Sequence, residues 1–323
     1  MRDPVVCSLS AGGQTSFIEA LVDVFGFVAV PLEELEPYLR QGRRVLVNGW
    51  WSCYERLVRD YPGRIAVVWH SGWAGSDLMG EGQTLATALQ HLREGRIDLL
   101  WLEQRDVLPP GAFVLPSVWS PRMLERLVEP PRPLREPGAV VAGLHGDYPS
   151  GTKNILATVV GCVAAGAKVH LGRASMNGAR GLALAEVLAG KPHEVHETLP
   201  RRSVARLLAS VDLLVHPSFS ETWSIMVMEA VYVGTPAVIS DVIAWSAKLP
   251  LRAQEACIVR PAKASERVAS LVRRLLDDGE DRKQLLRYQR ACLDGLATSL
   301  AAGTARTLFG LGFPVRVVAC CAP

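Results

Sequence analysis

His216-Pro-Ser-Phe-Ser-Glu221-Thr-Trp-Ser-Ile-Met-Val-Met-Glu229-Ala-Val-Tyr-Val-Gly234-Thr-Pro236-Ala-Val-Ile-Ser-Asp241 decides the fold. The apolar run Val211 to Val215 leads into it and reads as a buried strand. A polar loop carrying Glu221 follows. The apolar stretch from Ser224 to Val233 reads as a helix that places Glu229 eight positions after Glu221. Gly234 and Pro236 stop that helix, and Ala237 to Ser240 is rich in strand formers. The order is strand, loop, helix, strand. Loops that join a strand end to a helix start are where α/β sheets bind ligands.

The same alternation runs outward in both directions. Strands are expected at Val5 to Leu9, Phe27 to Val30, Arg43 to Asn48, Arg64 to His70, Ile97 to Leu102 and Ala112 to Leu115. Beyond these, strands are expected at Ala139 to Leu144, Lys168 to Leu171, Glu194 to His196, Leu213 to His216, Ala237 to Ser240 and Cys257 to Val259. Helical patterns fall between them, at Gln14 to Phe25, Ser52 to Tyr61, Gln83 to Glu94, Thr152 to Ala164, Arg201 to Ser210, Ser224 to Val233, Ser265 to Asp278 and Glu280 to Leu300. Strands alternating with helices predict parallel sheets covered by helices. The stretch Glu129-Pro-Pro-Arg-Pro-Leu-Arg-Glu-Pro-Gly138 holds four prolines in ten residues and denies both helix and sheet. It is read as a linker between a first domain, residues 1–133, and a second, residues 134–300, with 301–323 as a tail.

Composition narrows the class. The chain has 323 residues, 49% hydrophobic and 21% charged, and a net charge of +3. Residues Met1 to Arg135 carry 14 Arg and no Lys against 16 acids, a charge of −2; the remaining 21 basic and 16 acidic residues give +5. The first half has no basic surplus for a nucleic-acid backbone, so no nucleic-acid partner is expected. No apolar run is long enough to span a bilayer, so no transmembrane segment is expected. The start enters a strand and not a signal peptide. The seven cysteines are odd in number and scattered, with neither a disulfide framework nor a Cys-x2-Cys pattern. A reducing, cytoplasmic setting follows as the expectation.

Pro217, Ser218, Glu221, Glu229, Ala230, Gly234, Thr235, Pro236 and Asp241 fall in register with a known motif. The stretch resembles the donor site of retaining nucleotide-sugar glycosyltransferases, the large family 4 of the GT-B fold. The resemblance covers the second domain from Ala139 to about Leu300, and the first by architecture alone. It implies an α/β, GT-B architecture: two Rossmann-like domains with parallel sheets facing a cleft. It implies transfer of a sugar from a nucleotide diphosphate sugar (UDP- or GDP-sugar) to a hydroxyl of a glycan or other acceptor. The donor is a substrate; no cofactor and no metal are implied. For the family, attack occurs on the face the leaving group departs from, and a donor phosphate oxygen takes the acceptor proton.

Residue roles follow from the same resemblance. Glu229 would accept hydrogen bonds from ribose hydroxyls, and Glu221 would contact the donor sugar near its anomeric carbon. Lys153 in Gly151-Thr152-Lys153-Asn154 would contact the diphosphate, with Asn154 beside it. The amides near Thr222, Trp223 and Ser224 open a helix that suits an anion. His70, after the fourth strand, would reach donor sugar or acceptor, and a structural histidine is an equal alternative. Gly12 and Gly13 follow the first strand and allow close backbone approach. Trp50, Trp51, Trp69 and Trp73 are core or sugar-stacking residues. One departure stands out: where the family has Gly-Arg-Leu, this chain has Gly143-Leu144-His145-Gly146. His145 or Arg173 is the candidate replacement, and neither matches a bidentate arginine in kind. There is no Asp-x-Asp after a strand and no Glu-x-x-His or two-histidine pattern, so no metal ligands are assigned. Two other readings remain open: a GT-B sugar-nucleotide epimerase or hydrolase, and a non-catalytic nucleotide-sugar-binding scaffold subunit.

Overall fold

The computed structural model describes residues 5–7, 13–49, 54–70, 82–102, 107–144, 151–219, 221, 223–260 and 265–315. The chain divides into two compact units, Met1–Met123 with Gly295–Pro323, and Leu124–Asp294. The first break falls ahead of the proline-rich stretch, and the C-terminal stretch returns to the first unit.

In the first unit the order is β1 (Val5–Cys7), α1 (Gly13–Phe25), β2 (Val28–Val30), α2 (Glu36–Arg40), β3 (Val45–Asn48), α3 (Glu55–Asp60), β4 (Ile65–Trp69), α4 (Gly82–Arg93), β5 (Ile97–Trp101), β6 (Phe113–Val114) and α5 (Pro121–Glu125). The strands pair in parallel in the order β2-β1-β3-β4-β5-β6. Side chains alternate between two cores, one on each face of the sheet. Val45, Val47, Ile65, Val67, Trp69, Ile97, Leu99 and Trp101 enter one; Leu46, Ala66, Val68, Leu100 and Leu102 enter the other. A sheet buried on both faces needs apolar residues at consecutive positions, which is why these strands read as continuous hydrophobic runs.

The second unit follows the same plan with β7 (Ala139–Ala142), α6 (Ile155–Ala164), β8 (Lys168–Gly172), α7 (Gly178–Leu188), β9 (His193–His196), α8 (Arg201–Ser210), β10 (Leu213–His216), α9 (Ile225–Val233), β11 (Ala237–Ser240), α10 (Leu251–Cys257), β12 (Ile258–Val259), α11 (Ser265–Asp277) and α12 (Gly279–Gly310). Its parallel sheet runs β12-β11-β10-β7-β8-β9. From β7 the chain first builds toward β9, then returns to β10 and builds the other way. The direction reverses between β7 and β10, and the crevice at such a reversal lies at the carboxyl ends of the two strands. Helix α9 is buried from Met226 through Val233, which explains its apolar sequence. Helix α6 packs on α11 at Gly161, where a Cβ would stand 2.6 Å from Val268 Cβ.

The last helix, α12, runs to Gly310, so residues 301–310, expected to begin a tail, continue it. Ala301 and Leu308 enter the first unit's core, and the buried Thr304 hydroxyl donates to the Pro116 carbonyl at 2.6 Å. Earlier in the helix, fully buried Gln289 clamps the backbone of Ala237 in β11. Its Oε1 accepts from the amide at 3.0 Å and its Nε2 donates to the carbonyl at 2.8 Å. Gln289→Leu leaves both backbone groups buried without that partner. It is expected to lower unfolding free energy by about 2–4 kcal/mol, read as a drop in urea midpoint. Among the described residues no helix is long and apolar enough to cross a membrane.

Candidate functional site

Two loops leave the sheet at the reversal point. One runs from β7 to α6 and carries Gly143, Thr152, Lys153 and Asn154; the other runs from β10 to α9 and carries Pro217, Ser218, Glu221 and Ser224. Hydrogen bonds stitch them together. Asn154 Nδ2 donates to the Pro217 carbonyl at 3.1 Å, and the Thr152 carbonyl accepts from Ser218 Oγ at 2.8 Å and from the Phe219 amide at 2.7 Å. Ser240 Oγ, at the end of β11, donates to the Ser218 carbonyl at 2.7 Å.

Backbone strain concentrates here. Among the described residues the non-glycine residues with positive φ are Asn154, at 56°, and Ser224, at 50°. They are the N-caps of α6 and α9, the two helices whose starts flank the reversal. Left-handed conformations at non-glycine residues cost energy and cluster at functional sites. Gly143 has φ of 72°, and a Cβ there would lie 2.6 Å from Ile155 Cγ2. Gly143→Ala is therefore expected to destabilise the protein by about 2–4 kcal/mol, measured by chemical denaturation.

The loops bring Lys153 and Glu221 together, 68 positions apart in sequence. Lys153 Nζ donates to Glu221 Oε2 at 2.8 Å, and both side chains are largely buried, 19% and 17% exposed. Burial alone pushes the Glu221 carboxyl upward. The charge of Lys153 and the nearness of His216 outweigh it and hold the group at about 2. His216 Nε2 stands 3.6 Å from Glu221 Oε1, beyond an ordinary hydrogen bond, and this buried nitrogen has no hydrogen-bond partner among the described residues. The hydroxyls of Thr152 and Ser224 are likewise buried and without a partner among the described residues. Three orphaned polar atoms in the segments that carry one buried ion pair are unusual, because buried polar groups are nearly always satisfied. A polar ligand would satisfy them. In the first turn of α9 the Val227 amide already donates to the Ser224 carbonyl at 3.0 Å; a helix start of this kind favours an anion through its remaining amides and its dipole.

Glu229 lies one helix turn and more beyond, on α9. It is buried, and Arg201 Nε donates to its Oε1 at 2.6 Å from the first position of α8. The sequence reading gave Arg201 no role, because its partner is 28 positions away and only the packing of α8 on α9 joins them. His216 was read as the end of a strand, and nothing in its spacing marked it as facing Glu221.

The other expected site residues are placed as follows. Trp223 is buried, and its carbonyl accepts from Trp245 Nε1 at 3.2 Å. His70, in the first unit, follows β4; its Nε2 contacts Asn48 Oδ1, and its ring meets Phe17 edge-on at 5.4 Å. Burial pulls the imidazole down to about 4, so His70 is neutral near pH 7. Gly13 opens α1, and Trp69 is a core residue. Arg173 is an exposed residue paired with Glu197 at 3.0 Å. Arg180 on α7, given no role from sequence, packs its guanidinium beside Gly151, where a Cβ would lie 3.0 Å from Nη2. Gly12, Trp50, Trp51, Trp73, His145, Gly146 and Thr222 lie outside the described residues.

No two-histidine grouping was read in the sequence, yet β8 and β9 bring His170, Glu194 and His196 within ligand range of one another. The residues come from neighbouring strands 26 positions apart, so only the register of the sheet assembles them.

Two parallel sheets, with a reversal of strand order between β7 and β10 in the second, place the chain in the GT-B class of α/β proteins. Residues 171–291, within the second unit, match the family described as Glycosyl transferases group 1. No curated protein sequence matches the chain significantly. Among solved structures, sucrose-phosphate synthase from Thermosynechococcus elongatus is similar at 17% identity and a TM-score of 0.68, over 96% of this chain and 99% of that one. An α,α-trehalose-phosphate synthase (UDP-forming) from Burkholderia xenovorans, in complex with glucose-6-phosphate, matches at 12% identity and a TM-score of 0.65, over 96% and 100%. WaaG, a glycosyltransferase involved in lipopolysaccharide biosynthesis, matches at 15% identity and a TM-score of 0.62, over 95% and 100%. These likenesses establish the fold; with the family match they support sugar transfer as the class of activity.

Proposed function

We propose that the chain is a retaining glycosyltransferase that moves a sugar from a UDP- or GDP-sugar to an acceptor hydroxyl. The observation that carries this reading is the buried Lys153–Glu221 pair at the sheet reversal, with the unpartnered Thr152, Ser224 and His216 atoms in the same two loops and β10. Lys153 and the first-turn amides of α9 would take the diphosphate and stabilise it as it leaves. Glu221, held ionised, offers acceptor oxygens to sugar hydroxyls, and Glu229 offers them to the ribose. Arg180, beside Gly151, is placed to supply the guanidinium absent at Leu144-His145. The reading assigns no metal and no enzyme nucleophile to the chemistry. A UDP-forming relative of the same fold is consistent with a uridine donor.

The test is to incubate the protein with UDP- and GDP-sugars and an array of hydroxyl acceptors. Release of nucleoside diphosphate and formation of a product with the donor's anomeric configuration, read by NMR, is the expected result. An inverted product contradicts retention, and free sugar at the same rate with and without acceptor favours a hydrolase. A second reading rests on the departure at Leu144-His145 and on Arg173 being committed to Glu197. It makes the chain a nucleotide-sugar-binding scaffold, and binding without turnover would distinguish it.

A further inference from the structure

A second cluster of side chains stands on β8 and β9, apart from the loops of the reversal point. Parallel pairing sets His170 opposite Glu194 and Gly172 opposite His196. Alternation then puts Lys168 and His170 on the same face as Glu194 and His196. The two imidazole rings have centroids 5.2 Å apart and planes 15° from parallel. His170 Nδ1 lies 2.9 Å from His196 Nε2. The Glu194 carboxylate stands 3.8 Å from His170 Nδ1 through Oε2 and 3.7 Å from His196 Nδ1 through Oε1.

Glu136 sets the tautomer. Its Oε2 lies 2.9 Å from His170 Nε2, and its Oε1 accepts from Lys168 Nζ at 2.6 Å. An ionised carboxylate only accepts, so the His170 proton sits on Nε2 and the lone pair of Nδ1 faces His196. Metal-binding histidines are oriented in this way, one nitrogen turned to the ion and the other donating to a carboxylate. Without an ion, the His196 Nε2 proton occupies that lone pair.

We propose that His170, His196 and Glu194 form a binding site for one divalent cation of the zinc class, ligated through His170 Nδ1, His196 Nε2 and Glu194 Oε2. Two nitrogens on one tetrahedral zinc stand about 3.3 Å apart. The 2.9 Å separation here therefore opens by only a few tenths of an ångström. On binding, the His196 proton moves to Nδ1, toward Glu194 Oε1. Glu194 Oε2 also leaves Lys168 Nζ, now 3.3 Å away, which keeps its bond to Glu136. Glu136 and Glu194 against Lys168 leave one net negative charge around the two imidazoles, which suits a cation. A donor set of two nitrogens and one oxygen selects zinc over magnesium or calcium. Glu194 is 51% exposed, which gives the ion a way in, while His170 is 3% exposed and fixed. The ion would tie the edge strand β9 to β8.

The experiment uses the whole chain, stripped with chelator, and titrates zinc chloride against a chromophoric competitor while the melting temperature is followed. About one zinc per chain and a higher melting temperature are expected, since an ion bound only by the folded state stabilises it. His196→Ala and Glu136→Gln are each expected to weaken binding about tenfold or more. His193→Ala is expected to change nothing, because that imidazole is on the other face and bonded to the Lys191 carbonyl at 2.9 Å. Magnesium at the same concentration is expected to leave the melting temperature unchanged. Circular dichroism confirms folding of each variant, and exposed Glu194→Gln replaces any that fails. No zinc uptake by the wild type, full affinity in His196→Ala, or loss in His193→Ala overturns the proposal.

Discussion

Lys153→Ala is expected to destabilise the protein by about 3–5 kcal/mol at pH 7, the usual cost of leaving one member of a buried ion pair alone. The pair is 2.8 Å long, and its carboxylate is held at about 2 against the upward push of burial. Without the lysine that push prevails, and Glu221 protonates or drags in water. The pH dependence follows from the direction of the shift. A carboxyl lowered in the folded state contributes stability above its unfolded pKa of about 4.3 and loses it as pH falls toward 2. Wild type should therefore lose up to about 3 kcal/mol from this group over that window, at 1.36 kcal/mol per pKa unit. The variant, with its carboxyl raised, should lose none of it, so the gap between the two narrows on acidification. Denaturant midpoints at pH 7 and pH 3 measure this. An equal gap at both would show that Glu221 is not what Lys153 stabilises. On the proposed function, the variant also loses most affinity for a diphosphate, because the cation and its loop position go together.

On the proposed function, Glu229→Ala is expected to weaken nucleoside diphosphate binding about a hundredfold. Losing a charged acceptor from a ribose hydroxyl is worth about 1.5–3 kcal/mol, and about 2.7 kcal/mol corresponds to that ratio. The side chain is 7% exposed and already aligned by Arg201 at 2.6 Å, so little ordering cost offsets the contact. Inorganic pyrophosphate, which has no ribose, should bind wild type and variant alike. If both ligands weaken together, Glu229 acts through the packing of α9 and not through the nucleotide. Arg201→Ala should give an intermediate loss, since Glu229 keeps its place on the helix but loses its alignment.

Much of this arrangement was legible because local chemistry and fold agree. The run from Leu213 to Ser240 declares a strand, a helix stopped by Gly234 and a second strand, and β10, α9 and β11 occupy those positions. Gly234 has φ of 102°, which explains its place after the helix. The continuous apolar runs follow from sheets buried on both faces. Other features were hidden for physical reasons. Helix α7 begins Gly178-Ala-Arg-Gly181, a poor helix start by propensity, and forms because Gly181 fits against the Met176 carbonyl, where a Cβ would lie 1.9 Å from the oxygen. Helix α12 continues past Leu300, where the expected helix ended; Gly303 lets it approach Pro116, where a Cβ would meet Cγ at 3.0 Å. Glu229 and Glu221 were singled out by the motif that the stretch resembles, whereas the Arg201, His216 and His170 contacts depend on packing and register that no local window contains.

The central claim is that the crevice at β7 and β10 binds the diphosphate of a nucleotide sugar. Isothermal titration of the wild-type chain with UDP, GDP and ADP tests it most directly, before any acceptor is known. The account predicts saturable binding of UDP or GDP, with one nucleotide preferred and the affinity lost in Lys153→Ala. No heat of binding from any of the three at millimolar concentration, with the protein shown to be folded, would contradict it.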